Sequence, residues 1–278
     1  IALVEPRLSH VYAPDIELLR LAYLQAIHRY DAMPSPSWIA ARGLSKKPRD
    51  EVIEKRFGLW LSHQLLPSDW MQGSAQELFF PQAGGLSPAQ LLTDLLQCAD
   101  VSPATNKQLS DQPFDGLRIL ATGALTPLIR PELAPWMGGN LGQLMQAPSM
   151  GLDLKQGPIS RSGYMAHGPN QDLIAGASYQ SFSADQLQDF DSASPRPEHL
   201  DQVRARLADL DPDLLKRDWV FARSALRSVA KDRNPLVGAL DDQTWILAGL
   251  GSRGFTSAPL FSEFLVAKLL KRPSPIPI

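Results

Sequence analysis

Cysteine is almost missing from this chain of 278 residues, and the one thiol, Cys98, excludes an internal disulfide and argues against a cysteine-rich metal site. Neither sign of charge is in excess. With 27 Lys and Arg against 29 Asp and Glu, no general basic field marks a nucleic-acid surface. No apolar run approaches the roughly 20 residues of a membrane span, and no signal peptide is recognisable. These absences predict a soluble, cytoplasmic protein with no membrane partner. His10, His28 and His63 are scattered and lack zinc-binding spacing, so no metal is expected. No repeat appears, and the only low-complexity piece is the Pro-rich tail from Pro273 to Ile278. The glycine fingerprint of a dinucleotide-binding unit is also absent. The chain opens on Ile1, in what reads as the middle of a strand, so we expect it to be processed, trimmed or incompletely represented, with any fingerprint lying before Ile1.

The most informative stretch runs from Trp245 to Leu260. A short apolar run reads as a buried strand, and Gly249, Gly251 and Gly254 keep the following turn free of Cβ atoms where something must approach the backbone. Thr256 or Ser257 is expected to cap a helix, with Pro259 in its first turn and Leu260, Phe261, Phe264, Leu265 and Leu269 at helical spacing. Strand, glycine turn and helix amino terminus would gather unpaired N–H groups and positive dipole at one point, which favours an anionic or electron-rich group. A plain strand-to-helix connection that uses its glycines for tight packing is the other reading.

Gly249-Leu250-Gly251-Ser252-Arg253-Gly254-Phe255-Thr256-Ser257-Ala258-Pro259-Leu260 resembles the carboxyl-terminal flavin motif of the FAD-dependent D-amino-acid oxidase and glycine oxidase superfamily. Its Gly-Ser-Arg-Gly core is similar to the oxidoreductase half of the tRNA wobble-uridine modification enzymes, the MnmC family. The resemblance implies FAD as cofactor and a mixed α/β fold, in which an FAD-binding Rossmann-like unit is joined to a substrate domain with an antiparallel sheet. The division implied is 1–140 with 236–278 for the cofactor and 141–235 for the substrate.

Other segments take their place within that expectation. Ile1 to Glu5 is an apolar run ending in an acid, as the second strand of a dinucleotide-binding unit ends; Glu5 would then accept from ribose hydroxyls, or else be an ordinary strand-end acid. Helices are expected over 15–30, 51–63 and, most cleanly, Pro197 to Leu210. Leu78 to Pro81 followed by Gly84-Gly85-Leu86-Ser87-Pro88 reads as strand, turn and capped helix, with Leu91, Leu92, Leu95 and Leu96 forming its buried face. The phrase resembles the superfamily's Gly-Gly-x-x-x-Pro segment. Residues 99–113 are polar and irregular. The run 114–124 returns to a strand whose Ala121-Thr122-Gly123 turn would, by the resemblance, neighbour FAD; a turn kept small for packing is the alternative.

Gly163 to Ala166 and Ile174 to Tyr179 read as two strands of a hairpin, and Trp219 to Val229 as another strand. The resemblance places Arg227 at the substrate-binding arginine, Tyr164 as a second donor to the substrate carboxylate or a packing aromatic, and Arg253 beside the flavin. Leu141, Leu226 and Lys231 depart from the superfamily's usual residues.

The activity implied is hydride transfer from a carboxylate-bearing secondary amine to FAD, which needs orientation more than a side-chain base, so no catalytic side chain is named. The carboxymethylaminomethyl group of tRNA wobble uridine is the substrate favoured by the motif, with tRNA and a methyltransferase domain as partners. Free glycine, sarcosine or a D-amino acid is the alternative. A non-catalytic scaffold with a degenerate flavoprotein fold is the reading from another class.

Overall fold

The computed structural model describes residues 1–33, 42–100, 115–154, 156–187 and 194–276. In chain order its first half comprises β1 (Ala2–Val4), α1 (Pro14–Asp31), β2 (Ser45–Lys46), α2 (Glu51–Ser62), β3 (Gln72–Ser74), β4 (Glu77–Phe79), β5 (Gly84–Leu86), α3 (Pro88–Cys98), β6 (Arg118–Leu120) and α4 (Thr126–Ile129). The remainder comprises β7 (Met137–Ala147), β8 (Ile159–Ser160), β9 (Tyr164–His167), β10 (Leu173–Gly176), β11 (Gln180–Ser183), α5 (Pro197–Leu210), β12 (Val220–Ala230), β13 (Leu236–Ala239), β14 (Thr244–Ala248) and α6 (Gly254–Leu269). Local chemistry sets several helix starts. Asp50 accepts from Ile53 N at 2.8 Å to open α2, Ser87 from Gln90 N at 3.3 Å to open α3, and Pro14, Pro88 and Pro197 occupy first-turn positions where no N–H is needed.

A nine-stranded sheet forms the frame. β7 lies between β12 on one side and the collinear β10 and β11 on the other, and the sheet continues through β9, β8, β2 and β4 to β3. α5 covers one face, where Val203 and Leu207 pack on Met145, Met165, Leu173 and Ala175. A second core joins α1, α2, β4 and β5 through Tyr23, Phe57, Leu78, Phe80 and Leu86, each essentially without solvent contact. The smaller third sheet has the order β13, β14, β6; β14 runs parallel to β6 and antiparallel to β13.

Among the described residues the strand partner of β1 is β5, antiparallel, with Ala2 opposite Leu86. β7 spans residue 141, and β2, β3 and β4 join the same large sheet. The buried face expected of α3 needs correction. On α3, Leu91 is buried, but Leu92, Leu95 and Leu96 are exposed; Asp94 takes the inward position instead and accepts from Gln90 Nε2 at 2.9 Å. From residue 101 to 114 the polar stretch and the start of the next strand lie outside the described residues.

α6 begins earlier than expected, at Gly254 after a short 3-10 turn, so Pro259 falls inside it and not in its first turn. Proline has no N–H to give to the carbonyl four residues back. That carbonyl, of Phe255, instead accepts from the Tyr30 hydroxyl of α1, which ties the two long helices together where the ladder is broken.

Candidate functional site

The parallel register of β6 and β14 places Leu120 opposite Ile246, so both strands run out at one edge of the sheet and their glycine turns emerge side by side. After β6 the chain passes Ala121 and Thr122 to Gly123, at φ 62°; after β14 it passes Gly249 and Leu250 to Gly251, at φ 61°. A Cβ on either Gly123 or Gly251 would meet nothing within 4 Å. Left-handed backbone beside open space is a cradle that a side chain would fill and that a bound group can enter. Ser252 is exposed there, and Thr122 Oγ1 lies 3.0 Å from Thr126 Oγ1.

Gly249 belongs to a different class. Its N–H donates to Ser228 Oγ at 3.0 Å, and a Cβ would come within 3.3 Å of Ala230 Cβ, so its missing side chain serves to pack the turn against β12.

Arg253 is the N-cap of α6 and makes no side-chain cap, which leaves the first-turn amides of Gly254, Phe255 and Thr256 without a side-chain acceptor at the cap. Thr256 Oγ1 is buried with no hydrogen-bond partner. Two open glycines, an uncapped helix start and a hydroxyl without a partner thus lie along the turns that leave β6 and β14. Backbone donors of this kind suit the polar edge of a flavin or a phosphate. Glu5 comes near through charge: burial lowers the Arg253 pKa most, Arg7 lowers it further, and Glu5 partly offsets them. The Glu5 carboxylate, at the end of the run expected to meet the adenosine ribose, is paired with Lys46 Nζ at 2.5 Å.

The second half of the site lies on the face of the large sheet opposite α5. Register alone assembles it. Tyr164 sits opposite Gly176, Gly176 opposite Leu144, and Leu144 opposite Arg223, while Asn140 sits opposite Arg227. Residues directly across a ladder share a face, so Tyr164, Leu144, Arg223 and Arg227 project to the same side. The Arg227 guanidinium leans across Gly142, where a Cβ would collide with it.

Arg227 has no acidic partner among the described residues. Its pKa is lowered chiefly because burial strips its hydration, with Tyr164 and Tyr179 acting in the opposite sense. Burial pushes the Tyr164 phenol up to about 12, so it remains an O–H donor at neutral pH. Asn140 Nδ2 donates to the Tyr179 hydroxyl at 2.7 Å and so fixes it near Arg227. A half-buried cation with phenols nearby and no counter-charge is a ready receptor for a carboxylate.

β12 joins the halves: Val229 bridges Leu250, and Ser228 holds Gly249, only one and two residues beyond Arg227. Thus Arg227 and Tyr164 share one sheet face, and the turns at 121–123 and 249–254 lie beside β12. Asn140 reaches Arg227 by strand register, Tyr179 by its hydrogen bond to Asn140, and Arg223 by the two-residue period of β12, and no motif in the sequence marks these three as a group.

A buried polar knot supports the far side of the sheet. Ser178 Oγ accepts from Gln143 N at 2.8 Å and lies 2.7 Å from His199 Nδ1, while His199 Nε2 lies 2.8 Å from Gln180 Oε1. Gln180 Oε1 can only accept, so Nε2 carries the proton and Nδ1 accepts from Ser178. Burial lowers the His199 pKa.

Comparison with known proteins agrees with this geometry. Residues 8–269 match the model of the family described as FAD dependent oxidoreductase. The bifunctional tRNA 5-methylaminomethyl-2-thiouridine biosynthesis protein MnmC of Maricaulis maris is 28% identical over 96% of this chain and 44% of its own length. Its counterpart from Caulobacter vibrioides is 28% identical over 99% of this chain and 49% of its length. The chain therefore spans about half the length of these relatives. Among solved structures, iminodiacetate oxidase from Chelativorans superposes with a TM-score of 0.77 at 16% identity, covering 99% of this chain and 86% of that one. Glycine oxidase from Geobacillus kaustophilus gives 0.70 at 15% identity, covering 99% and 85%.

Proposed function

Because the chain belongs to the FAD-dependent oxidoreductase family, we propose that it oxidises a secondary amine bearing a carboxylate, which Arg227 holds beside an FAD cradled by the two glycine turns. The observation that carries this reading is the half-buried guanidinium of Arg227, without an acid partner among the described residues, on a strand whose next residues fasten the second glycine turn.

Gly123, Gly251, Ser252 and the first amides of α6 would hold the cofactor, with Ala121 and Thr122 alongside. FAD, when bound, supplies the acceptor for the electron pair leaving the amine's C–H bond. The chain's own residues orient the substrate. Arg227 offers a planar pair of N–H donors to the carboxylate, and Tyr164, kept protonated, offers an O–H from the same face. Orientation of this kind suffices without a side-chain base if the amine enters neutral, and among the described residues Arg227 has no ion-pair partner. Arg253 at the helix start adds positive charge where the cofactor would gain electrons.

Two forms of the amine fit. The names of the MnmC relatives, bifunctional proteins of tRNA 5-methylaminomethyl-2-thiouridine biosynthesis, support a modified tRNA uridine; on this reading the amine is the carboxymethylaminomethyl group of the wobble uridine, and a methyltransferase half is the partner. The near-neutral charge of the chain supports instead a free glycine-like amine. Anaerobic bleaching of bound flavin by modified tRNA, sarcosine and glycine, each tested separately, decides between them. A protein that takes up no FAD, or a flavin that none of the three bleaches, refutes the proposal and leaves a scaffold role.

A further inference from the structure

Arg223 has no role in the reading above, yet it stands on the same face as Arg227. It occupies the row of Tyr164, Gly176 and Leu144, four residues from Arg227 on the side away from the glycine turn. The Arg227 side chain does not extend straight out from its own row. It leans over Gly142, whose cross-strand partner is Ala225, so its guanidinium comes within two strand residues of the Arg223 row, about 7 Å at the usual rise per residue. Arg223 is exposed and has no acidic partner among the described residues. Tyr164 lies within the electrostatic reach of both arginines.

Two guanidinium groups on one face, neither with an ion-pair partner among the described residues, exceed what a single carboxylate requires. We propose that Arg223 forms a second oxyanion subsite, farther from the cofactor cradle than Arg227, which selects amines carrying another anionic group about two strand residues beyond the first. This rests on the reading of Arg227 as the carboxylate receptor. The second oxyanion is either another carboxylate on a small amine or a backbone phosphate of an RNA, and both would meet the same guanidinium fork.

Equilibrium titration of the flavin-loaded protein tests this with ethers that replace the oxidisable amine: methoxyacetate, with one carboxylate, and oxydiacetate, with two. A third probe is an anticodon stem–loop RNA carrying carboxymethylaminomethyluridine. Native protein is expected to bind oxydiacetate or the RNA at least about tenfold more tightly than methoxyacetate. Arg223→Gln should abolish that advantage while leaving methoxyacetate affinity within about twofold. Loss in the oxydiacetate arm assigns a small dicarboxylate, and loss in the RNA arm assigns phosphate. If Arg223→Gln changes neither arm, or lowers all three affinities alike, the subsite is refuted. Failure of native protein to bind methoxyacetate at all would instead overturn the role of Arg227, and the subsite with it.

Discussion

The two halves of the site are built on opposite principles. On the sheet face, side chains do the recognising, and strand register holds them: Arg227 lies over Gly142, Tyr164 over Gly176, and Asn140 grips Tyr179. At the edge of β6 and β14, recognition falls to backbone, and the informative atoms are the missing Cβ atoms of Gly123 and Gly251. The first half is specified by what occupies it and the second by what is kept out. Changes on the sheet face should therefore alter substrate affinity while sparing flavin, and changes at the turns should do the reverse.

The largest separation is expected from Arg227→Ala. Removing a half-buried cation from a carboxylate typically costs a few kcal/mol, so apparent substrate affinity should fall about a hundredfold while bound flavin per protein stays unchanged. Parallel loss of flavin would show that the two halves are not independent. Gly142→Ala tests the same half without touching charge. Its methyl group collides with the mobile end of Arg227, so the fold should survive while the guanidinium shifts, and substrate affinity should drop about tenfold.

The turn half is probed by Gly251→Ala. At φ 61° the substitution costs roughly 1–2 kcal/mol in backbone strain and projects a methyl into the open cradle. Flavin retention should fall well beyond the loss expected from stability alone. Gly249→Ala is the contrast, because there the added methyl presses on Ala230 and the strain falls on the fold. Equal flavin loss per degree of melting temperature in the two variants would erase the distinction between cradle and packing glycine.

How much of this was legible beforehand follows the same division. Helices with local start signals were placed well: α5 spans Pro197–Leu210 as its spacing predicts, and Ser87 and Pro88 open α3. Arg227, Tyr164 and the glycine turns were reached because local words resemble a known family. Sequence spacing misled where tertiary partners decide. The run from Ile1 to Glu5 does not itself say which strand it pairs with; among the described residues that strand is β5, antiparallel. The leucines of α3 have helical spacing, yet the helix turns Leu91 and Asp94 inward and leaves Leu92, Leu95 and Leu96 exposed. Asn140 and Tyr179 are not legible beside Arg227, since strand register places the first and a hydrogen bond to it places the second.

A smaller effect is expected where α1 meets α6, behind the turn half. Tyr30→Phe leaves the Phe255 carbonyl without its donor and should cost about 1–2 kcal/mol by thermal or urea melting. Pro259→Ala restores an N–H to that position in the helix, so it should recover part of the loss in the Tyr30→Phe background. Simple additivity of the two changes would show that the hydroxyl does not substitute for the missing helix bond.

The smallest effect belongs to the polar knot under the sheet half. His199 is buried and its pKa lies below the ordinary 6.5, with desolvation the main cause, Arg196 lowering it further and Glu198 opposing. The unfolded chain therefore binds a proton more readily than the native one. Stability from the neutral imidazole is fully present above about pH 6.5 and is lost as pH falls from there toward the folded-state value. Protonation at Nδ1 would set a second donor against the Ser178 hydroxyl, which could then no longer give its proton to the ring. His199→Gln should flatten the stability profile below pH 6.5, while flavin binding at neutral pH stays unchanged because the knot underlies the sheet and not the turns. If the variant keeps the native acid slope, another group carries the titration, and the packing of α5 against the sheet face does not depend on the charge state of this imidazole.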